Sequence, residues 1–187
     1  MSQGDGLPCG GYFDDRKKQL VVAYKSAAWL ETLAHEYCHM VQWKNGHEFW
    51  RNTGRRDDIF FDWIAGRKNP GVAETNRAST QQLEVELDCE KATVRTILAW
   101  KLKIDIPVYI RSANCYVLWY TFLKYYGVWY DESPEDCAAI HKLMPKTFQR
   151  REWYDSIPRE YLRLIWEHCV TSRAKYKRAA KNLLRHF

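Results

Sequence analysis

From Ala27 to Trp43 the chain runs through AAWLETLAHEYCHMVQW with no glycine or proline. Ser26 stands before this stretch as an N-cap, so the pattern predicts a helix over residues 27–43. The two sides of that helix differ. At about 100° per residue, Glu31, Thr32, His35, Glu36, His39 and Gln42 fall on one stripe, and Leu30, Leu33, Ala34, Tyr37, Met40 and Val41 fall opposite. A solvated helix face normally carries lysine or arginine. This stripe carries neither, although the chain has 29 such residues. A cleft built around a cation would exclude them, since like charges repel most strongly away from bulk water. The plainer alternative is a pair of surface histidines on an amphipathic helix.

The segments around this helix set the fold class. Gly10–Phe13 and Gln19–Lys25 read as two strands of a hairpin, the second rich in β-branched residues. Residues 44–80 are polar and glycine-rich, with a short helix expected near Asp57–Ala65. Helices are predicted over Thr80–Lys101, over Pro107–Tyr126 with proline in the first turn, and over Ser133–Met144 behind an N-cap serine. Pro158–Arg185 reads as one long helix or two. A hairpin followed by helices predicts an α+β chain with a mainly helical body. Aromatic residues make up 15% of the 187, which supplies a core and excludes a disordered chain.

Charge divides the chain at residue 170. Arg173, Lys175, Lys177, Arg178, Lys181 and Arg185 account for the whole net charge of +6, and no acid lies among them. Residues 1–170 therefore read as one balanced domain and 171–187 as a basic helical tail. The tail suits a solvated helix end or a docking segment better than nucleic acid, which is the weaker reading. No apolar stretch is long enough to cross a membrane, and Met1–Gly11 lacks the apolar run of a signal peptide. The expected location is the cytoplasm. The six cysteines form no CxxC pair, so a zinc ribbon is not expected, and Cys38, Cys89 and Cys115 read as small buried apolar residues.

The chemistry lies in His35-Glu36-Tyr37-Cys38-His39, an HExxH pattern. Residues i and i+4 sit one turn apart, so both imidazoles can reach one metal ion. The intervening glutamate points at the open coordination position, where it can take a proton from water and return it to a leaving amine. A catalytic zinc takes three protein ligands. His47 follows Gly46 in a loop and is a poor third. The cluster Glu84-Val85-Glu86-Leu87-Asp88-Cys89-Glu90 is the better source. Helical phase puts Glu86 and Glu90 on or beside the face defined by Leu83, Leu87, Val94, Ile97 and Leu98, while Glu84 and Asp88 share the other side with Lys91 and Arg95. A carboxylate on a buried face is costly unless paired or metal-bound. Glu86 is thus the expected third ligand, Glu84 the alternative, and Glu90 the acceptor for a ligand imidazole. The bland account is that these acids favour the positive end of a helix.

HEYCH on one helix, with a glutamate and a further acid on a later helix, resembles the gluzincin zinc metallopeptidases. The hairpin–helix–helix order is also similar to minimal zincins of the ImmA/IrrE type. HEYCHMVQW followed by ELDCEK resembles small metallopeptidase-like proteins encoded by bacteriophages, for which the compartment would be the host cytoplasm. The resemblance spans roughly residues 10–125 and is sharp only at the two motifs. It implies a minimal zincin-like fold, a zinc ion, a peptide or protein substrate, Glu36 as the base, Glu86 as the ligand and Glu90 as the orienting acid. Glu90 departs from the usual aspartate.

Zincins also use a tyrosine or histidine on the oxyanion. Tyr109, Tyr116, Tyr120 and His141 are the candidates, and Tyr116 is preferred for its neighbours Arg111 and Asn114. The strand before the helix, Leu20–Lys25, is the expected edge for an extended peptide. Trp43, Trp50, Phe60, Phe61 and Trp63 read as core rather than as a groove wall. The rival functions are a regulatory protein with a retained metal site and a nucleic-acid-associated protein using the basic tail.

Overall fold

The computed structural model describes residues 9–51 and 53–184, with the side chains of all of these but 53–58. Strands β1 (Gly11–Asp14) and β2 (Gln19–Val22) pair antiparallel, with Gly11 opposite Val22 and Phe13 opposite Leu20. The Asp14 carboxylate closes the turn by accepting from the N–H groups of Arg16 and Lys17. Strand β2 stops earlier than its composition suggests. The Ala23 N–H still reaches the Gly10 carbonyl, but the Ser26 N–H then folds back onto the Ala23 carbonyl. A local turn thus ends the ladder.

Helix α1 (Trp29–Lys44) begins two residues later than expected, because Ser26 Oγ takes the Ala28 N–H in a turn that precedes the helix. Its polar stripe faces inward. Glu36, His39 and Gln42 are buried, whereas Leu30, Leu33, Tyr37, Met40 and Val41 are only partly covered.

Residues 44–80 hold more helix than expected. Short α2 (Glu48–Arg51) and α3 (Thr53–Ile64) precede α4 (Val72–Ala99), which starts at Val72 rather than Thr80. The early part of α4 is polar in sequence but packs Thr75, Ala78 and Ser79 inside, and the Thr75 and Ser79 hydroxyls bond back to carbonyls one turn earlier. Polarity there marks a satisfied interface, not a loop.

Helix α5 (Ile106–Tyr126) is the central element. Asp105 caps it by accepting from the Val108 N–H, and Gly127 ends it in the left-handed region at φ 59°. It is apolar around nearly its whole circumference, as a helix covered on all sides must be. Trp119 and Phe122 stack at 4.4 Å within the core, beside Leu118, Leu123, Tyr154 and Tyr161. Phe60 and Trp63 of α3 join the same core.

The C-terminal third is more broken than expected. Ser133–Met144 splits into a tight turn at Pro134–Asp136 and helix α6 (Ala138–Leu143), and the Ser133 side chain makes no cap bond. Residues 158–184 form α7 (Arg159–Leu164), a wide turn at Ile165–Cys169, and α8 (Arg173–Leu183). The break has a cause: the Asp131 carboxylate takes the N–H groups of Thr171 and Ser172. Arg185 lies outside the described residues.

The architecture is α+β, a two-stranded antiparallel sheet followed by a helical body. Helix α4 lies between α1 and α5 and packs on both. Among the described residues no helix is long and apolar enough to cross a membrane.

The hairpin sits directly on α1. A Cβ at Gly11 would lie 2.7 Å from both Thr32 Cγ2 and the Val21 carbonyl oxygen, and 3.3 Å from Glu36 Cγ. Gly11→Ala should therefore force the strand off the helix and cost about 1–3 kcal/mol, as overpacking does. A lowered urea midpoint at unchanged slope is the expected result. An unshifted midpoint would show that the contact yields freely.

Candidate functional site

Three helices each bring a regularly spaced polar row to one interface. Helix α1 supplies His35, His39 and Gln42. Helix α4 supplies Gln82, Glu86 and Glu90, at four-residue spacing and all buried. Helix α5 supplies Tyr109, Tyr116 and Tyr120. Side chains four apart on a helix lie one above another, so the three rows face each other as ladders.

Glu86 stands at the centre. Its Oε2 is 3.5 Å from His35 Nε2 and 3.3 Å from His39 Nε2. Its Oε1 accepts from Gln82 Nε2 at 2.9 Å and from the Tyr120 hydroxyl at 3.3 Å. Tyr116 and Tyr120 share a 2.7 Å bond. Burial, and then the Glu86 charge, push both phenols well above their ordinary range, so both are donors. Since the Tyr120 hydrogen goes to Glu86, Tyr116 donates to Tyr120.

The far side of each imidazole is also held. His35 Nδ1 lies 3.2 Å from Glu90 Oε1, and Tyr109 donates to Glu90 Oε2 at 2.5 Å. His39 Nδ1 lies 3.0 Å from Gln42 Oε1, and the Gln42 amide is aimed by its Nε2 donating to the Val85 carbonyl at 3.1 Å. Both Nδ1 atoms face acceptors and so carry hydrogen. In the neutral rings each Nε2 then presents a lone pair.

Two lone-pair nitrogens and a carboxylate oxygen thus converge. Glu86 Oε2 is buried and has no hydrogen-bond donor. Acceptors meeting without a donor repel, unless a cation or added protons stand between them. Burial resists charging the imidazoles. The surroundings outweigh it, the Cys89 sulfur and Glu90 around His35 and the Cys89 sulfur and Glu86 around His39, and both rings titrate well above their usual range. Burial alone would likewise raise the Glu86 pKa, but His39 and His35 hold it far below the usual carboxylate range. The spacing suits a metal. Donors bound at about 2.1 Å to one tetrahedral zinc stand about 3.4 Å apart, close to the separations at Glu86.

Cys89 offers a second set. His35, His39 and Cys89 each present a ligand atom within 4.8 Å of the others, so they too could hold a metal ion. The Cys89 sulfur, however, lies 3.8 Å from His35 Nδ1, the nitrogen that Glu90 already faces. Its hydrogen goes to the His35 carbonyl at 3.3 Å. That is the placement of a buried thiol, and the Glu86 set has the better geometry.

Glu36 is buried under the hairpin at 8% exposure. Burial raises its pKa, against the pull of both imidazoles and of a bond from the Phe13 backbone N–H. The strand beside Glu36 is thus β1. The Ala23-to-Gly10 bond fixes the alternation of the hairpin ladder, in which Tyr12 and Asp14 bond to β2 while Gly11 and Phe13 face away from it. The expected edge was β2, but it is β1 whose free edge meets Glu36.

The remaining candidates are elsewhere. Glu84 is exposed and 3.6 Å from Arg151, and Asp88 is 4.0 Å from His47. Their partners are therefore not Lys91 and Arg95. His141 bonds to the Val108 carbonyl. Asn114 is buried against Tyr154, Pro145 and Thr147, a structural role rather than part of a polar cleft face. Trp50 leaves the apolar core and packs its ring 5.6 Å from His39 and 5.8 Å from Phe13. Compared with protein-family models, curated proteins and solved structures, the chain has no match.

Sequence reading gave Gln42 a place on the stripe but no role, and overlooked Gln82 and Glu135. Four-residue spacing back from Glu86 would have found Gln82. Glu135 had no such signal, since a turn carries it in. The residue is half-buried, but its carboxyl end is densely surrounded. Burial, then the charges of Glu90 and Asp136, push its pKa up to about 8 from an ordinary 4.5. Between those values the folded chain binds more protons than the unfolded chain, so this group makes stability fall as pH rises from about 4.5 to about 8. Glu135→Gln should flatten that fall, gaining most over the wild type near pH 8. Thermal unfolding of both chains from pH 5 to pH 8 measures it. Parallel curves would mean that Glu135 titrates normally.

Proposed function

We propose that the chain is a zinc-dependent peptidase in which His35, His39 and Glu86 hold the metal and Glu36 is the general base. The observation that carries this reading is the approach of one buried, donor-free Glu86 oxygen to both Nε2 atoms. Zinc held there would supply Lewis acidity, polarising a peptide carbonyl and making water acidic near pH 7.

The chain's own groups divide the remaining work. Glu90 and Gln42 fix the imidazole tautomers, which leaves Nε2 free to bind. Gln82 and Tyr120 hold one Glu86 oxygen so that the other points inward. Glu36, with its pKa raised by burial, takes a proton from water and passes it to the leaving amine. The free edge of β1 at Gly11 offers backbone N–H and C=O groups to an extended peptide, which would lie antiparallel or parallel beside Glu36. Tyr116 would have to leave Tyr120 before serving an oxyanion.

A second reading rests on the position of Cys89. If His35, His39 and Cys89 are the ligands, the site is closed by a thiolate, as structural zinc sites often are. The chain would then be a metal-stabilised regulatory protein.

Metal substitution separates the two. Protein purified without chelator should contain one zinc per chain, lost in the His35→Ala, His39→Ala double variant. Glu86→Gln should lower zinc affinity by 10-fold or more, and Glu84→Gln should leave it unchanged, by titration against a zinc indicator. The cobalt-loaded chain should lack a thiolate charge-transfer band in the near ultraviolet. A band abolished by Cys89→Ser would replace the Glu86 set with the Cys89 set. Glu36→Gln should keep its zinc and lose peptidase activity by about 100-fold or more. Peptide products released from a cell extract, wild type against variant, provide the assay. Identical product sets from two zinc-loaded proteins would overturn the enzyme reading.

A further inference from the structure

The basic segment is not a loose tail, and its cations are sorted. On the inner side of α8, Lys175 Nζ reaches the Tyr130 carbonyl at 2.9 Å and the Asp131 carboxylate at 2.5 Å. Arg178 donates to the Trp63 carbonyl, Asn182 to the Tyr126 carbonyl, and Ala179 is fully buried. These contacts dock α8 on α5 and on the end of α3.

The outer side is different. Arg173, Lys177 and Lys181 lie at i, i+4 and i+8, and all three are exposed. Among the described residues none of the three has an ion-pair partner. Arg163 on α7 shows the contrast: its side chain is also exposed but clamped between Glu160 and Glu167. The three outer cations are therefore a row of one sign, spaced about 6 Å apart along the axis. That step is comparable to the distance between successive phosphates of an extended nucleic-acid strand.

An aromatic platform borders the row. Tyr176, one turn on from Arg173, flanks the row on the Arg173 side and is 57% exposed. Its ring is backed by Trp166 at 5.1 Å, and Trp166 by Phe122 and Tyr126, each also at 5.1 Å. The Tyr176–Trp166 contact is T-shaped at 68°, and a ring held in this way and more than half exposed offers a surface for stacking. Every nucleobase has a face that such a ring can take.

An anionic membrane would ask for something else. A helix lying in a lipid interface needs a broad apolar side to bury. The apolar side of α8 is turned into the protein, and its outer face offers only Tyr176, Ala174, Ala180 and Leu184 beside the cations. We infer that the outer face of α8 binds single-stranded nucleic acid, with phosphates on Arg173, Lys177 and Lys181 and a base stacked on Tyr176. This surface is independent of the metal reading, because none of its residues touches the site.

Fluorescence anisotropy of a labelled oligothymidylate with the full chain tests it across a salt series. Wild type should bind at low salt and weaken steeply as salt rises. The Lys177→Gln, Lys181→Gln double variant should bind at least 10-fold more weakly and lower the slope of log affinity against log salt by about 1.4. Tyr176→Ala should weaken binding by about 5-fold to 150-fold with the slope unchanged. All three side chains are exposed, and circular dichroism checks that the variants stay folded. Binding unaffected by the double variant overturns the proposal. A Tyr176→Ala protein that binds like wild type overturns the stacked strand and leaves general polyanion attraction. Binding to phosphatidylserine vesicles without binding to the oligonucleotide overturns it in favour of a membrane.

Discussion

A carboxylate ionised inside a protein must be compensated where it stands, because water cannot do it. Glu86 is such a group, 4% exposed and held ionised by the two imidazoles that face it. Leaving a buried charge unpaired costs several kcal/mol, comparable to the whole stability of a small domain. The packing of α1 against α4 is therefore not an apolar contact that happens to include polar groups. It is set by the requirement that His35 and His39 meet Glu86, and the helices must cross where those side chains coincide.

The same requirement propagates outward. The second Glu86 oxygen recruits Gln82 from its own helix and Tyr120 from α5. The outer nitrogens of the histidines recruit Glu90 and Gln42, and Glu90 in turn recruits Tyr109. Each step satisfies an atom that the previous step buried. A partly satisfied polar network is worse than an apolar core, and the chain of donors ends mostly at the Val85 carbonyl and at phenols whose own hydrogens are spent, with Gln82 Oε1 left buried without a partner among the described residues. This explains why α5, a largely apolar helix, carries Tyr109, Tyr116 and Tyr120 along one line. Phenols can donate into the site while their rings remain part of the core.

Much of this was legible from spacing alone. The i, i+4 histidines, the absence of lysine and arginine from their stripe, and the helical phase that buries Glu86 and Glu90 while exposing Glu84 all follow from helix geometry. Local composition was a poorer guide. The start of α4 was hidden because Thr75 and Ser79 look like loop residues, yet both are interior, with hydroxyls bonded to carbonyls one turn back. The break before α8 depends on Asp131, forty residues from Thr171, and no local pattern announces it. Gln42 was placed on the polar stripe but not read as the partner of His39. Glu135 reaches the neighbourhood of Glu90 through a turn whose path periodicity does not describe.

The proposed base and the proposed ligands are supported by different parts of the fold. His35, His39 and Glu86 are braced by α4 and α5, long helices with a large shared core. Glu36 is braced by the hairpin, through the Phe13 N–H and the close approach of Gly11. Two strands are marginal by themselves, and here they persist because Phe13 is buried among Trp43 and Trp50 on α1 and α2. Trp50 also packs on His39. The aromatic cluster is therefore the joint between the two halves. It links the position of the hairpin to His39 on one side and to Glu36 on the other. An extended peptide laid along β1 would press on that joint, so the proposed substrate edge and the proposed base form one mechanical unit, set apart from the α4 and α5 scaffold beneath.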